Sequence, residues 1–60
     1  MIKNTDTQQV FSVLQSQPDS APLIVADGCT LREAENEADR INSHLADAGI
    51  PSWVSCAYVI

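Results

Sequence analysis

The stretch TLREAENEADRINSHLADAGIP, residues 30–51, decides the fold because it carries a helix start, an apolar stripe and a helix stop. Thr30 and Glu33 fit a capping box, in which the threonine hydroxyl accepts from the Glu33 amide while the Glu33 carboxylate reaches back. Gly49 stands where a left-handed cap is favoured, and the proline two positions later prevents continuation. We therefore predict a helix from Thr30 to Ala48. Its apolar residues recur at spacings of three and four: Leu31, Ala34, Ala38, Ile41, Leu45 and Ala48.

Apolar segments on both sides of this helix predict strands. Residues 52–60, SWVSCAYVI, are rich in β-branched and aromatic side chains. As a strand they span about 30 Å, close to the length of about 27 Å expected for the helix. Residues 22–26, PLIVA, form a second apolar run that ends at Asp27 and Gly28. With the helix, these two segments predict a β-α-β unit.

The segment from residue 9 to residue 15 fits two interpretations. It forms a strand joined to the next one by a loop over residues 16–21, or it belongs to a helix over residues 6–16, which gives the order αβαβ. We prefer the strand, because two strands and one helix cover each other poorly. The predicted fold class is therefore α+β, in the order ββαβ, with a three-stranded sheet and one amphipathic helix packed on one face. Residues 1–60 form a single domain, with residues 1–8 as a flexible N-terminal arm.

The faces of the last strand decide which side chains are left exposed. Ala34 and Ala38 are small, so they leave room on the helix for the ring of Tyr58. This predicts that the even-numbered residues of the strand face the helix and the odd-numbered ones face solvent. Trp53 and Val59 then form part of an exposed apolar patch, which usually marks an interface.

Length and charge exclude several classes of function. Sixty residues make one domain at most, with a formal charge of −5 and only three basic residues, so direct binding of nucleic acid is not expected. No apolar run approaches the roughly 20 residues of a membrane span, and the N-terminus does not resemble a signal peptide. We expect a complete small open reading frame whose product stays in the cytoplasm with Cys29 and Cys56 as free thiols.

Residues suited to catalysis or metal binding do not cluster in the sequence. His44 lies off the apolar stripe, and neither Cys29 nor Cys56 has the basic neighbours that lower a thiol pKa. The cysteines and the histidine lack the paired spacing of zinc ligands. There is no Gly-rich phosphate loop either, because Gly28 is explained by a turn and Gly49 by the helix cap. We expect no enzyme activity, no metal and no cofactor.

The outer face of the helix is acidic. Glu33 and Glu37 form a like-charge pair four residues apart, which costs a few tenths of a kcal/mol. One explanation of these acidic residues is that the outer face of the helix contacts only solvent. The other is a docking strip for a basic protein surface, made of Glu33, Glu37, Asp39 and Arg40. Trp53 is either a core residue or an interface anchor, since tryptophan is enriched at binding hot spots.

The helix start Thr30-Leu31-x-Glu33-Ala34-x-x-x-Ala38-Asp39, preceded by two short strands and followed by one, resembles small host-takeover proteins of tailed phages. The family includes the early inhibitor of bacterial RNA polymerase, in which arginines of the last strand contact the polymerase. This chain has no arginine there. The resemblance implies a phage-encoded or prophage-encoded protein that acts in the host cytoplasm on a host protein. The acidic helix face, in turn, suits a partner with a basic or nucleic-acid-binding surface.

Two hypotheses about function follow. The first is a non-catalytic binding protein that inhibits or modulates a host protein through the acidic helix face or an open sheet face. The second is a homodimer that buries its open sheet faces and serves as a structural or assembly module, because small domains often gain stability from self-association.

Overall fold

The computed structural model describes residues 8–60, so the predicted N-terminal arm lies outside the described residues except for its last residue. The elements are β1 (Phe11–Gln17), β2 (Ser20–Cys29), α1 (Leu31–Asp47) and β3 (Ala57–Val59). The strands form one antiparallel sheet in the order β2-β1-β3, and α1 packs on one face. The predicted α+β fold is confirmed. The αβαβ alternative is wrong, because β1 is extended and pairs with both other strands.

The start of α1 is fixed by the capping box. The Glu33 amide donates to Thr30 Oγ1 at 3.1 Å, and the Thr30 amide donates to Glu33 Oε1 at 2.9 Å. Two of the amides that a helix start leaves without partners are therefore satisfied reciprocally.

The end of α1 is a Schellman motif. The Gly49 amide donates to the carbonyl of Ala46 at 3.0 Å, and the Ile50 amide donates to that of Leu45 at 2.9 Å. Gly49 has φ of +77°, a left-handed conformation that a residue without Cβ adopts at no steric cost. The helix stops one residue before the predicted end, with Ala48 as its C-cap.

The β1–β2 hairpin is longer than predicted. Only Pro18 and Asp19 form the turn, so the loop expected over residues 16–21 is wrong. β1 has seven residues and β2 has ten, and the difference is taken up by three irregularities in the pairing register. Such bulges insert extra residues on one strand and increase its twist. Gly28, with φ of +64°, lies within β2 instead of in the predicted turn.

The last strand is shorter than predicted. Instead of nine residues it spans only Ala57–Val59, because residues 52–54 form a turn. The amides of Val54 and Ser55 both donate to the Pro51 carbonyl, at 2.9 and 3.2 Å. This turn folds the chain back after the helix. The agreement between the predicted strand and helix lengths was therefore a coincidence.

The core is small and rich in alanine. Its buried apolar side chains are Val13, Ala34, Ala38, Ile41 and Ala57. Three of the five are alanines, which allow the backbones of helix and sheet to approach closely.

This close approach inverts the predicted faces of the last strand. Ala57 is buried and Val59 packs against the core, while Tyr58 is 36% exposed. The alanines of α1 therefore meet a small residue of the sheet, with no space left for a ring. The prediction that Val59 faces solvent is therefore wrong.

Candidate interaction surface: the open sheet face

The sheet face that α1 leaves uncovered carries a row of apolar side chains. Leu14 of β1 pairs with Ile24 of β2 and with Tyr58 of β3, so the three side chains lie side by side across the sheet. Ile24 is 64% exposed and Leu14 is half-buried. Ile60, two residues after Tyr58, shares this face and is 64% exposed. We call these four residues the open face.

A bulge in β2 directs Ile24 to the open face. Ala26 pairs with Val13 and packs against the core, so simple alternation would place Val25 outward and Ile24 inward. The register shifts between Val13 and Leu14, and Val25 also packs against the core. Ile24 is therefore left on the uncovered side, where it extends the apolar row to the edge of the sheet.

The free edge of β3 is closed by a side chain of α1. Asn42 Nδ2 donates to the Ala57 carbonyl at 3.0 Å, and the Ala57 amide donates to Asn42 Oδ1 at 2.7 Å. The amide group of Asn42 thus occupies both backbone groups of Ala57, which an added strand would otherwise use. Pairing of another chain at Ala57 is therefore disfavoured.

The free edge of β2 is irregular. Pro22 has no amide hydrogen to donate, and the three register shifts interrupt the regular spacing of the exposed backbone groups. Prolines and bulges of this kind protect edge strands from pairing with other chains. Within residues 8–60, the open face therefore offers exposed apolar side chains that no other element covers.

A polar network fixes the beginning of β3 against β1. Ser55 is 8% exposed, and its Oγ donates to the Ser16 carbonyl at 2.9 Å and accepts from Gln15 Nε2 at 3.0 Å. The Cys56 amide donates to Ser16 Oγ at 3.0 Å. Because these bonds align the two strands, they also set the position of Tyr58 beside Leu14.

Asp27 holds the bulged end of β2 at the margin of the open face. Its Oδ1 accepts from Ser12 Oγ at 2.7 Å and from the Gly28 amide at 2.8 Å. The hydrogen bond from Ser12, and then that from Gly28, lowers the pKa of the Asp27 carboxyl below its ordinary value of 3.8.

We expect this site to make stability depend on pH. A carboxyl whose pKa is lower in the folded chain stabilises the fold above its unfolded pKa, and the contribution is lost as pH falls through the folded pKa. Urea titrations of Ser12→Ala should therefore show a smaller loss of unfolding free energy than the wild type from about pH 4 downward. Identical pH profiles for the two proteins would contradict the assignment.

Three of the four residues of the predicted acidic strip already have intramolecular roles. The Glu33 carboxylate belongs to the capping box. Glu37 forms a two-pronged ion pair with Arg40, with Nε to Oε1 at 2.9 Å and Nη2 to Oε2 at 2.6 Å. The hydrogen bond from Arg40 lowers the pKa of Glu37 and raises that of Arg40. Asp39 is exposed. The docking role of this strip stays a prediction.

The other predicted contact residues lie apart from the open face. Trp53 is in the turn after α1 and is 85% exposed, while Val59 is half-buried on the helix side of the sheet. The open face thus contains none of the six residues that the sequence suggested. Its own residues were missed because their grouping depends on pairing between strands.

The three residues considered for catalysis take separate places. His44 is exposed on α1, Cys29 is half-buried at the end of β2, and Cys56 lies with its Sγ 3.6 Å from Ser16 Oγ. In the part of the chain that the structure describes, no group of three His, Cys, Asp or Glu side chains is placed to hold a metal ion, and no cavity is detected. None of its helices is long and apolar enough to span a bilayer.

No family model matches this chain, and no curated protein or solved structure is significantly similar to it.

Proposed function

We propose that the chain is a protein-binding module that contacts its partner with the open face. The observation that supports this proposal is the exposed row of Ile24, Leu14 and Tyr58 on the one sheet face that α1 does not cover. Contiguous exposed apolar patches on small proteins commonly mark sites of protein interaction. Pairing at the edges of the sheet is disfavoured by Asn42 and by the bulges of β2.

The chemistry of the open face favours an apolar partner surface. None of its four residues is charged, and its tyrosine offers a ring together with a hydroxyl, a combination enriched at interfaces. A basic partner surface suits the outer face of α1 instead, where Glu37 is already paired with Arg40. Of the two predicted contact surfaces, we favour the open sheet face. Modulation of a host protein stays a prediction of the resemblance.

Site-specific photo-crosslinking tests the surface directly. A photoreactive amino acid replaces Ile24 in one variant and Glu35, exposed on α1, in a second. Both variants are irradiated in the cells that produce the chain, and the products are compared by mass. We expect a discrete crosslinked product from position 24 and none from position 35.

A second substitution controls for non-specific capture. Tyr58→Asp in the same chain should remove the product from position 24, because it places a charge in the middle of the contact. Arg32→Asp, on the exposed outer face of α1, should leave the product unchanged. A discrete product from position 35 alone would contradict the proposal.

A further inference from the structure

We infer that the occupant of the open face is a second copy of this chain, stacked face to face about a two-fold axis. The inference rests on the proposed function and names the partner for the same surface. It is carried by the distribution of charge, by the self-complementarity of the apolar row and by the area of the face.

Most of the acidic charge of the described residues lies away from the open face. Five of these side chains are on α1 and one is in the hairpin turn: Glu33, Glu35, Glu37, Asp39, Asp47 and Asp19. Asp27 is the exception, because its Oδ1 accepts from Ser12 Oγ and Ser12 lies on the same side of β1 as Leu14. Stacked sheets lie about 10 Å apart, and each helix would cover the outer side of its own sheet. The two acidic helices are then separated by more than the Debye length of about 8 Å at physiological salt. A net charge of −5 therefore does not oppose this arrangement strongly.

The apolar row is complementary to itself. A two-fold axis parallel to β1 brings Leu14 onto the partner subunit's Leu14. The same axis brings Ile24 onto the partner subunit's Tyr58, and Tyr58 onto the partner subunit's Ile24. Such an isologous contact uses the same patch on both copies and closes at a dimer. Ile24, the most exposed aliphatic side chain of the row, then packs on the ring of the partner subunit's Tyr58. Each copy therefore covers the apolar surface of the other.

The area of the face predicts a weak dimer. β1 and β2 face the open side over about seven residues and β3 with its paired neighbours over about five, which gives a projected face of roughly 300 Å² at a strand spacing of about 4.8 Å and a rise of about 3.3 Å. With surface corrugation included, two such faces bury on the order of 1,000 Å², near the minimum for a specific interface. We therefore expect a dissociation constant in the micromolar range, on the order of 1–100 μM.

Sedimentation equilibrium of the purified chain tests this inference. From about 1 to 300 μM, a range that brackets this dissociation constant, the average mass should rise from that of one chain to that of two. Ile24→Lys should weaken association at least tenfold. Because Ile24 is exposed on an edge strand, this variant should keep the fold, which circular dichroism checks. Arg32→Glu, on the outer face of α1, should associate like the wild type.

A charge-swap pair tests the orientation. Ile24→Glu and Tyr58→Lys should each weaken the dimer alone, and an equimolar mixture should restore a two-chain mass, because the opposite charges face each other. A mixture that remains monomeric would overturn the arrangement, as would association that Ile24→Lys leaves unchanged. A monomeric wild type at every concentration would also overturn the dimer. The proposed function would then survive only if position 24 still crosslinks to a different protein in cells.

Discussion

Replacing Ala34 by leucine should lower the free energy of unfolding by about 1–3 kcal/mol, because it forces three extra carbons into a filled interface. Ala34 is 0% exposed and belongs to the core cluster between α1 and the sheet. The two layers meet through small side chains, so a larger one must push the helix away from Val13 and Ala57. Urea unfolding followed by circular dichroism measures the change.

Ala46→Leu is the matched control for this prediction. Ala46 lies on the same helix but is exposed, so the identical substitution should change the unfolding free energy by no more than about 0.5 kcal/mol. Equal losses at the two positions would mean that the leucine acts through the helix itself, and the close approach of α1 to the sheet would be contradicted.

Asn42→Ala should also lower the free energy of unfolding by about 1–3 kcal/mol, because it removes the only hydrogen bonds that α1 makes to the Ala57 backbone among the described residues. Both the amide and the carbonyl of Ala57 lose a partner, and water only partly replaces it at this part-buried edge. The amide of Ala57 should then exchange with deuterium faster, relative to the amides of β1, than in the wild type.

Asn36→Ala provides the comparison for this second prediction. Asn36 is exposed on the same helix, so its substitution tests the effect of removing an asparagine without removing the contact to β3. We expect unchanged exchange at Ala57 in this variant. If Asn42→Ala also leaves the relative exchange of Ala57 unchanged, the side chain does not close the β3 edge.

The helix was predictable because its signals are local. Thr30 and Glu33 are three residues apart, and Gly49 directly follows the C-cap, so a short stretch contains the whole start and stop. The order ββαβ followed from where apolar runs stand in relation to this helix. Neither prediction needed information on which distant residues meet.

The faces of the sheet were not predictable in the same way. The bulge at Val25 changes which side Ile24 occupies, since Val25 and Ala26 both pack against the core. The direction of β3 depends on Asn42 and on the turn after Pro51, which lie far apart in sequence. One residue of offset exchanges the two faces of a strand, so long-range contacts decide the outcome.

The residues of the candidate site were likewise predictable only where residue type alone marks them. Trp53 and the acidic strip were selected by residue type, and Trp53 is indeed exposed, although in a turn and not on a strand. Leu14 and Ile24 carry no signal beyond hydrophobicity until the strands are paired. The resemblance to host-takeover proteins rests on the helix start, which contributes none of the open face, and it stays a prediction.

Methyl NMR with a soluble paramagnetic agent separates the open face from the outer surface of α1 without any substitution. In dilute solution the agent should strongly broaden the methyl signals of Leu14, Ile24 and Ile60. It should also broaden the methyl signal of Ala46, which is exposed on α1, but not the methyl signal of buried Ala57. On association, with a second copy or with another protein, the three open-face residues should become protected and Ala46 should stay broadened. Protection of Ala46 with continued broadening of Leu14 and Ile24 would contradict the open face as the contact surface.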